Sequence, residues 1–488
     1  MDLARRTVLR WGLGAAACAA TGGVVWAQRQ EKSLPRPPER QARGLELTAA
    51  RASDRARTWV LNDSLPGPTI RARRNEALNI ELHNRLPEPT ILHWHGLDVP
   101  ESSDGHPRLA IGTNESYRYE FTVTDRAGTY WYHPHPDGRT GFQTYRGMAG
   151  FFLVADDEEA ALELPHGEYE IPLLLQDKKV DEDGVPVYSL FGPEQMTGFL
   201  GDHGFANGVN RPVVEVERTR YRLRFLNGCN ARILRLALGA LPLTVIGTDG
   251  GLLEHPVPVD LVWLGNGERL DVLVDFSSVP AGSRITLRSE AFQIPGMMMH
   301  GPPAGRGRGR GGRGMMRGMM GGMMGDSPQG AAMDFVDFVV KDSPERPGAP
   351  LPDRLSSLAP PVVDGAPRRE FRFESSMHQH RINGRRFELE RVDTEIPLGQ
   401  TEVWSFTNEG GLPHPVHVHA GQFRVVARSG GRNRVEPWEA GLKDTVLVFP
   451  DERVDVAVRF ASYKGLYLIH CHNLEHEDAG MMLNFAVT

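Results

Sequence analysis

Cysteine is scarce in this chain of 488 residues: Cys18, Cys229 and Cys471 are the whole supply. Cys18 lies in a stretch expected to be removed, so no disulfide framework supports the fold. Stability has to come from hydrophobic cores and bound metal. An excess of positive charge is also missing. The formal net charge is -7 at pH 7, which argues against a nucleic-acid partner. No apolar run has the length and strength of a membrane span of ~20 residues. Helical periodicity is rare as well, which leaves strands to build the molecule.

What is present begins with a leader. Arg5-Arg6 precede a mildly apolar, Ala/Gly-rich run from Trp11 to Ala27. Paired arginines before a weak apolar core resemble a twin-arginine signal over 1–27, with cleavage after Ala27. The expectation is a periplasmic or secreted protein, exported already folded. Pro, Arg and Gln crowd 28–44, read as a linker. From residue 45 on, short alternating segments recur between Gly, Pro and Asn, among them 77–82, 117–121, 221–225 and 269–274. Period-two alternation at this spacing predicts all-β sandwiches. Asn84, Asn227 and Asn408 each close such a segment. Three related domains follow: 45–160, 161–345 and 367–488, with a Pro-rich linker over 346–366. Low-complexity Gly, Arg and Met fill 296–326 inside the second domain, and nine of the sixteen methionines fall there.

Histidine carries the chemistry. Ten of the eighteen histidines stand in four clusters: His93-Trp94-His95, His133-Pro134-His135, His414-Pro415-Val416-His417-Val418-His419, and His470-Cys471-His472 with His476. Side chains at i and i+2 of a strand share a face, so each His-x-His pair is a chelating unit. In the last cluster the outer histidines face one way and the thiolate the other, placing one metal site on each side of Cys471. One thiolate, two imidazoles and a weak thioether form a blue-copper set, here Cys471, His414, His476 and Met481. The other eight imidazoles, His93, His95, His133, His135, His417, His419, His470 and His472, are too many for one ion and suit three coppers. His83, His166, His203, His255, His378 and His380 stand alone and are read as surface or core residues. Cys229 is read as an inert buried side chain.

With these four clusters the chain resembles the three-domain multicopper oxidases: laccases, bilirubin oxidase and the bacterial copper efflux oxidase. The resemblance implies three cupredoxin-like Greek-key β-sandwiches and a monomer. It also implies four copper ions: a type 1 ion in the third domain, a type 2 ion on His93 and His417, and a type 3 pair on the other six histidines. Such enzymes move electrons from a small-molecule reductant to dioxygen. Asp104 and Glu477 match the acids that supply protons in this family, and Asp444 matches a recurrent acid with no chemistry attached here. Exported relatives that serve in division or as scaffolds keep the fold without the ligands, whereas this chain keeps every one. The methionine-bearing insert is similar to one that feeds cuprous ion to the efflux oxidase. Gly410 and Leu412, however, stand where that enzyme has an acid and a methionine before the type 1 histidine, with Glu409 one place earlier. The expectation is therefore a laccase-type oxidase of phenols with cuprous ion as a second donor.

Overall fold

The computed structural model describes residues 31–54, 57–192, 194–294, 328–376 and 379–488. The leader 1–27, the insert 296–326 and His378 lie outside the described residues.

Six sheets form among the described residues, and they stack as three pairs. The four segments read as alternating lie within strands Ala77–Asn84, Ser116–Thr122, Arg220–Asn227 and Arg269–Asp275. Strand Ala77–Asn84 shows how the pattern builds a sandwich. Leu78, Ile80 and Leu82 turn inward and are buried, while the residues between them meet solvent. Three separate cores result, one centred on Leu47, Ile80 and Trp94, one on Leu223, Phe225 and Val272, and one on Phe406, Val456 and Ile469. The chain therefore has an all-β, three-domain fold.

The recurring asparagines explain why the three units look alike. Asn84, Asn227 and Asn408 each end a strand and are buried. Each Oδ1 accepts from the backbone N–H two residues on, at 2.9, 3.0 and 2.9 Å. Each Nδ2 donates to two carbonyls, one of them far along the chain, as in Asn84 to Ile111 and Asn408 to Val448. One side chain thus closes the turn and ties it to the neighbouring loop.

The linker reading of 28–44 needs correction over its second half. Leu34 N–H donates to the Val213 carbonyl at 3.3 Å, and Glu39–Gln41 pairs in parallel with Thr69–Arg71. Pairing of backbone groups does not need an apolar sequence, so composition hid this strand. Segment 346–366 carries no extended strand, but Leu355 and Leu358 are buried.

Buried ion pairs join the domains. Arg224 donates to Glu170 Oε1 at 2.6 Å and to Thr129 of the first domain at 2.8 Å, and Arg71 reaches Glu170 Oε2 at 2.9 Å. Burial pushes the Glu170 carboxyl up, but Arg224, Arg222 and Arg71 outweigh it and hold the pKa at about 2. Glu439, between Arg428 and Arg432, is likewise held at about 2 against its burial. Both values lie below the ordinary 4.5. Each acid therefore stabilises the fold fully above pH 4.5, and the contribution is lost as pH falls toward 2. Each is worth roughly 3 kcal/mol. Urea midpoints should fall steeply between pH 4.5 and 2.5, and Glu170→Gln should flatten that slope while lowering the midpoint at pH 7. An unchanged slope would remove Glu170 from this role.

Candidate metal centre

Antiparallel register assembles the histidines. In the first domain strand Leu92–His95 pairs with Gly128–Pro134, setting His93 directly opposite His133. In the third, His414–Val418 pairs with Gly465–Cys471, setting His417 opposite His470. The two domains then meet face to face. His93 stacks on His419 with centroids 3.8 Å apart, and His95 stacks on His417 at 3.7 Å. All eight rings are buried.

Their nitrogens converge in small groups. His93 Nε2 lies 3.2 Å from His417 Nε2. His95 Nδ1 lies 3.4 Å from His133 Nε2, and His472 completes that set. His470 Nε2 lies 3.4 Å from His135 Nε2 and 3.1 Å from His419 Nε2. Two donors about 2.0 Å from a shared tetrahedral ion stand roughly 3.3 Å apart, so these spacings suit metal ligation. His95 also falls in a group with His93 and His417, and His93 in one with Asp104 and His419.

Several of the outward-facing nitrogens are held by acids and carbonyls. Asp104 accepts from His93 Nδ1 through its main-chain oxygen at 2.6 Å and from His419 Nδ1 through Oδ2 at 2.8 Å. Glu477 Oε2 lies 3.0 Å from the outward His470 Nδ1, while its Oε1 lies 3.6 Å from His135 Nε2, a nitrogen that faces the cluster. His472 is different: among the described residues neither of its ring nitrogens has a hydrogen-bond partner, and Gly267 packs against its ring, where an added Cβ would stand 3.0 Å from Cδ2. A buried imidazole left so bare is costly. Metal ligation would satisfy one of the two nitrogens, and the all-imidazole donor set fits copper ions.

On the far side of Cys471 lies a second set. Cys471 Sγ stands 3.3 Å from His414 Nδ1 and 3.7 Å from His476 Nδ1, and the two histidine nitrogens are 3.3 Å apart. Met481 is buried in the same core as Cys471, and its carbonyl accepts from Cys471 N–H at 3.1 Å. Asn473 shapes the loop: its side chain caps helix Leu474–Asp478 by accepting from His476 N–H, and its own N–H reaches the sulfur at 3.4 Å. Burial pushes the Cys471 thiol up, so it ionises only against a cation. A soft metal supplies one.

Multicopper oxidase family models match residues 46–159, 176–283 and 362–488. The chain belongs to the multicopper oxidase family. It is 32% identical to a laccase of Haloferax volcanii, over 88% of this chain and 77% of the relative. It is 31% identical to the cell division protein FtsP of Xenorhabdus nematophila, over 99% of this chain and 98% of the relative. The crystal structure of McoA multicopper oxidase from Aquifex aeolicus superposes with a TM-score of 0.81 at 32% identity, covering 94% of this chain and 99% of that one. The oxidase is an oxidoreductase that uses dioxygen.

Eleven of the twelve predicted ligand residues are thus drawn into two neighbouring sets in this oxidase, Met481 lies in the core beside Cys471, and Asp104 and Glu477 approach the histidine cluster directly. The two acids differ electrically. Burial alone pushes the Asp104 carboxyl well above the usual range. Burial acts on Glu477 too, but His470 and His135 outweigh it and hold that carboxyl down. Of the histidines set aside, His83, His166, His203, His255 and His380 join no candidate metal group among the described residues. Cys229 is a buried free thiol.

Two features of the oxidase escaped the sequence, and a third residue was named there without a role. His380 stacks on His476 with centroids 4.1 Å apart, and its Nε2 meets the Gln195 carbonyl at 3.1 Å. His476 Nε2 meets the Met196 carbonyl at 2.8 Å, so main chain from the second domain covers the imidazole edge. Asp444, given no chemistry above, lies 3.0 Å from His95 Nε2. The pattern His378-Gln379-His380 was a signal for the first; nothing in Gly192–Thr197 announced the second. Gly410 does lie beside His414, where an added Cβ would be 3.8 Å from Nε2, and Glu409 is exposed.

Proposed function

We propose that this oxidase is an exported, laccase-type enzyme that takes single electrons from phenolic donors, accepts cuprous ion as a second donor, and reduces dioxygen to water. The observation that supports this most is the pair of ligand sets joined through one residue, Cys471, whose neighbours His470 and His472 belong to the other set. Cys471, His414, His476 and Met481 would hold a type 1 copper, His93 and His417 a type 2 copper, and the remaining six histidines a type 3 pair. Copper supplies one-electron redox chemistry at the first set and dioxygen reduction at the second. The protein's own contribution is to orient each imidazole, exclude water from the thiolate and deliver protons. Asp104, pushed up by burial, is suited to hold a proton on its carboxyl. Glu477, held ionised beside His470 and His135, is suited to accept one. A leader of the twin-arginine kind would export the protein folded with its metal in place.

The test is an absorption spectrum of copper-loaded protein beside dioxygen uptake with a phenol and with cuprous ion. An intense blue thiolate–copper band with uptake on either donor is expected. Copper binding without colour or uptake would sink the proposal. Deleting residues 297–324 should cut cuprous turnover more than phenol turnover, since thioethers favour cuprous copper; equal losses would exclude copper handling by the insert.

A further inference from the structure

Asp104 has a counterpart facing the opposite way. Asp104, in the first domain, holds His93 of its own domain through its main-chain oxygen and crosses to His419 with its carboxylate. Asp444, in the third, holds His417 of its own domain through its main-chain oxygen at 2.9 Å and crosses to His95 with Oδ1 at 3.0 Å. The same two tasks are performed twice, in opposite directions.

What stands behind the two acids differs. No arginine or lysine among the described residues pairs with Asp104. Asp444 is gripped by Arg269, with Nη1 to Oδ1 at 2.7 Å and Nη2 to Oδ2 at 2.5 Å, both side chains fully buried. Arg269 belongs to the second domain, which contributes none of the eight clustered histidines. Its other three N–H groups donate to the carbonyls of Thr129 at 2.9 Å, Gly267 at 3.0 Å and Asp249 at 3.1 Å. All five donors of the guanidinium are therefore used, which leaves it one orientation. Gly96 makes room for the pair: a Cβ there would stand 2.4 Å from Asp444 Oδ2 and 2.6 Å from Arg269 Nη2.

Resting on the copper-oxidase reading above, we infer that Arg269 is a positioning residue for the histidine cluster, acting through Asp444 on His95. His95 turns Nδ1 toward the cluster, whereas His93, His417, His419 and His470 turn Nε2. An ionised carboxylate only accepts. Its contact with His95 Nε2 therefore fixes the proton on that nitrogen and leaves the Nδ1 lone pair for metal. Thr445 Oγ1 donates to Asp444 Oδ1 at 2.9 Å and lies 3.0 Å from His95 Nε2, closing the ring of contacts. The second domain thereby sets the ligand geometry of a site built by the other two.

The test separates positioning from mere packing. Arg269→Met leaves a buried carboxylate unpaired and lowers both stability and copper binding. Combining it with Asp444→Leu removes the buried charge, and such apolar replacement restores stability. Copper-loaded wild type and double variant are titrated with a chelator, following total copper, blue absorbance and thermal midpoint. The expected result is a double variant with wild-type midpoint and full blue absorbance whose remaining copper is bound about 10–100-fold more weakly. A double variant that holds all its copper as tightly as wild type overturns the inference, as does parallel loss of blue absorbance and midpoint. A wild type that takes up no copper overturns the oxidase reading itself.

Discussion

Cys471→Ser protein is expected to be colourless and inactive toward both phenol and cuprous donors, while still taking up copper on its eight clustered histidines. Serine preserves the shape of the strand end and the pairing of residue 471 with Val416. It removes the soft, ionisable sulfur that the first ligand set requires, on the residue whose chain neighbours His470 and His472 belong to the second set. Outer contacts to metal ligands cost ~10–100-fold when removed, so loss of this central ligand should exceed that range. Blue absorbance and dioxygen uptake, measured beside total copper, check it. Uptake within tenfold of wild type would mean that electrons enter the histidine cluster by another route.

Asp104→Asn and Glu477→Gln should give the opposite phenotype: full colour, full copper and slow dioxygen reduction. Each amide preserves size and one acceptor oxygen, so His419 and His470 can keep their partners. What is lost is a group that gains and releases protons. General acid–base groups are worth about 10²–10⁴-fold, and a loss in that range on the dioxygen half of the cycle is expected. Single-turnover reoxidation of fully reduced protein isolates that half. Because Asp104 is pushed up while Glu477 is held down, the two substitutions should not be interchangeable. Normal reoxidation in both would leave them orienting groups alone.

Much of this arrangement can be read from local pattern. Period-two spacing orients His93 with His95 and His470 with His472, because strand geometry alone sets those directions. The asparagine at the end of each strand marks the three repeats because its hydrogen bonds are mostly local. Contacts set by docking are different. Asp444 reaches His95 across 349 positions, and Arg269 reaches Asp444 across 175. Arg269 sits in an ordinary alternating strand, and nothing nearby distinguishes it from Arg222 or Arg224. His380 resembled a solitary histidine until the fold laid it on His476. The Glu39–Gln41 strand was hidden because main-chain pairing leaves no mark in a polar sequence.

The span of the histidine cluster has a consequence for synthesis. His93 faces His417 across 324 positions, and His135 faces His470 across 335. A ribosome therefore releases the four N-terminal imidazoles long before their partners exist. A message cut short before His414 yields a polypeptide with no thiolate ligand and half a cluster. Such a product lacks all four residues of the first set and half of the second, so neither centre is complete until synthesis has passed Met481.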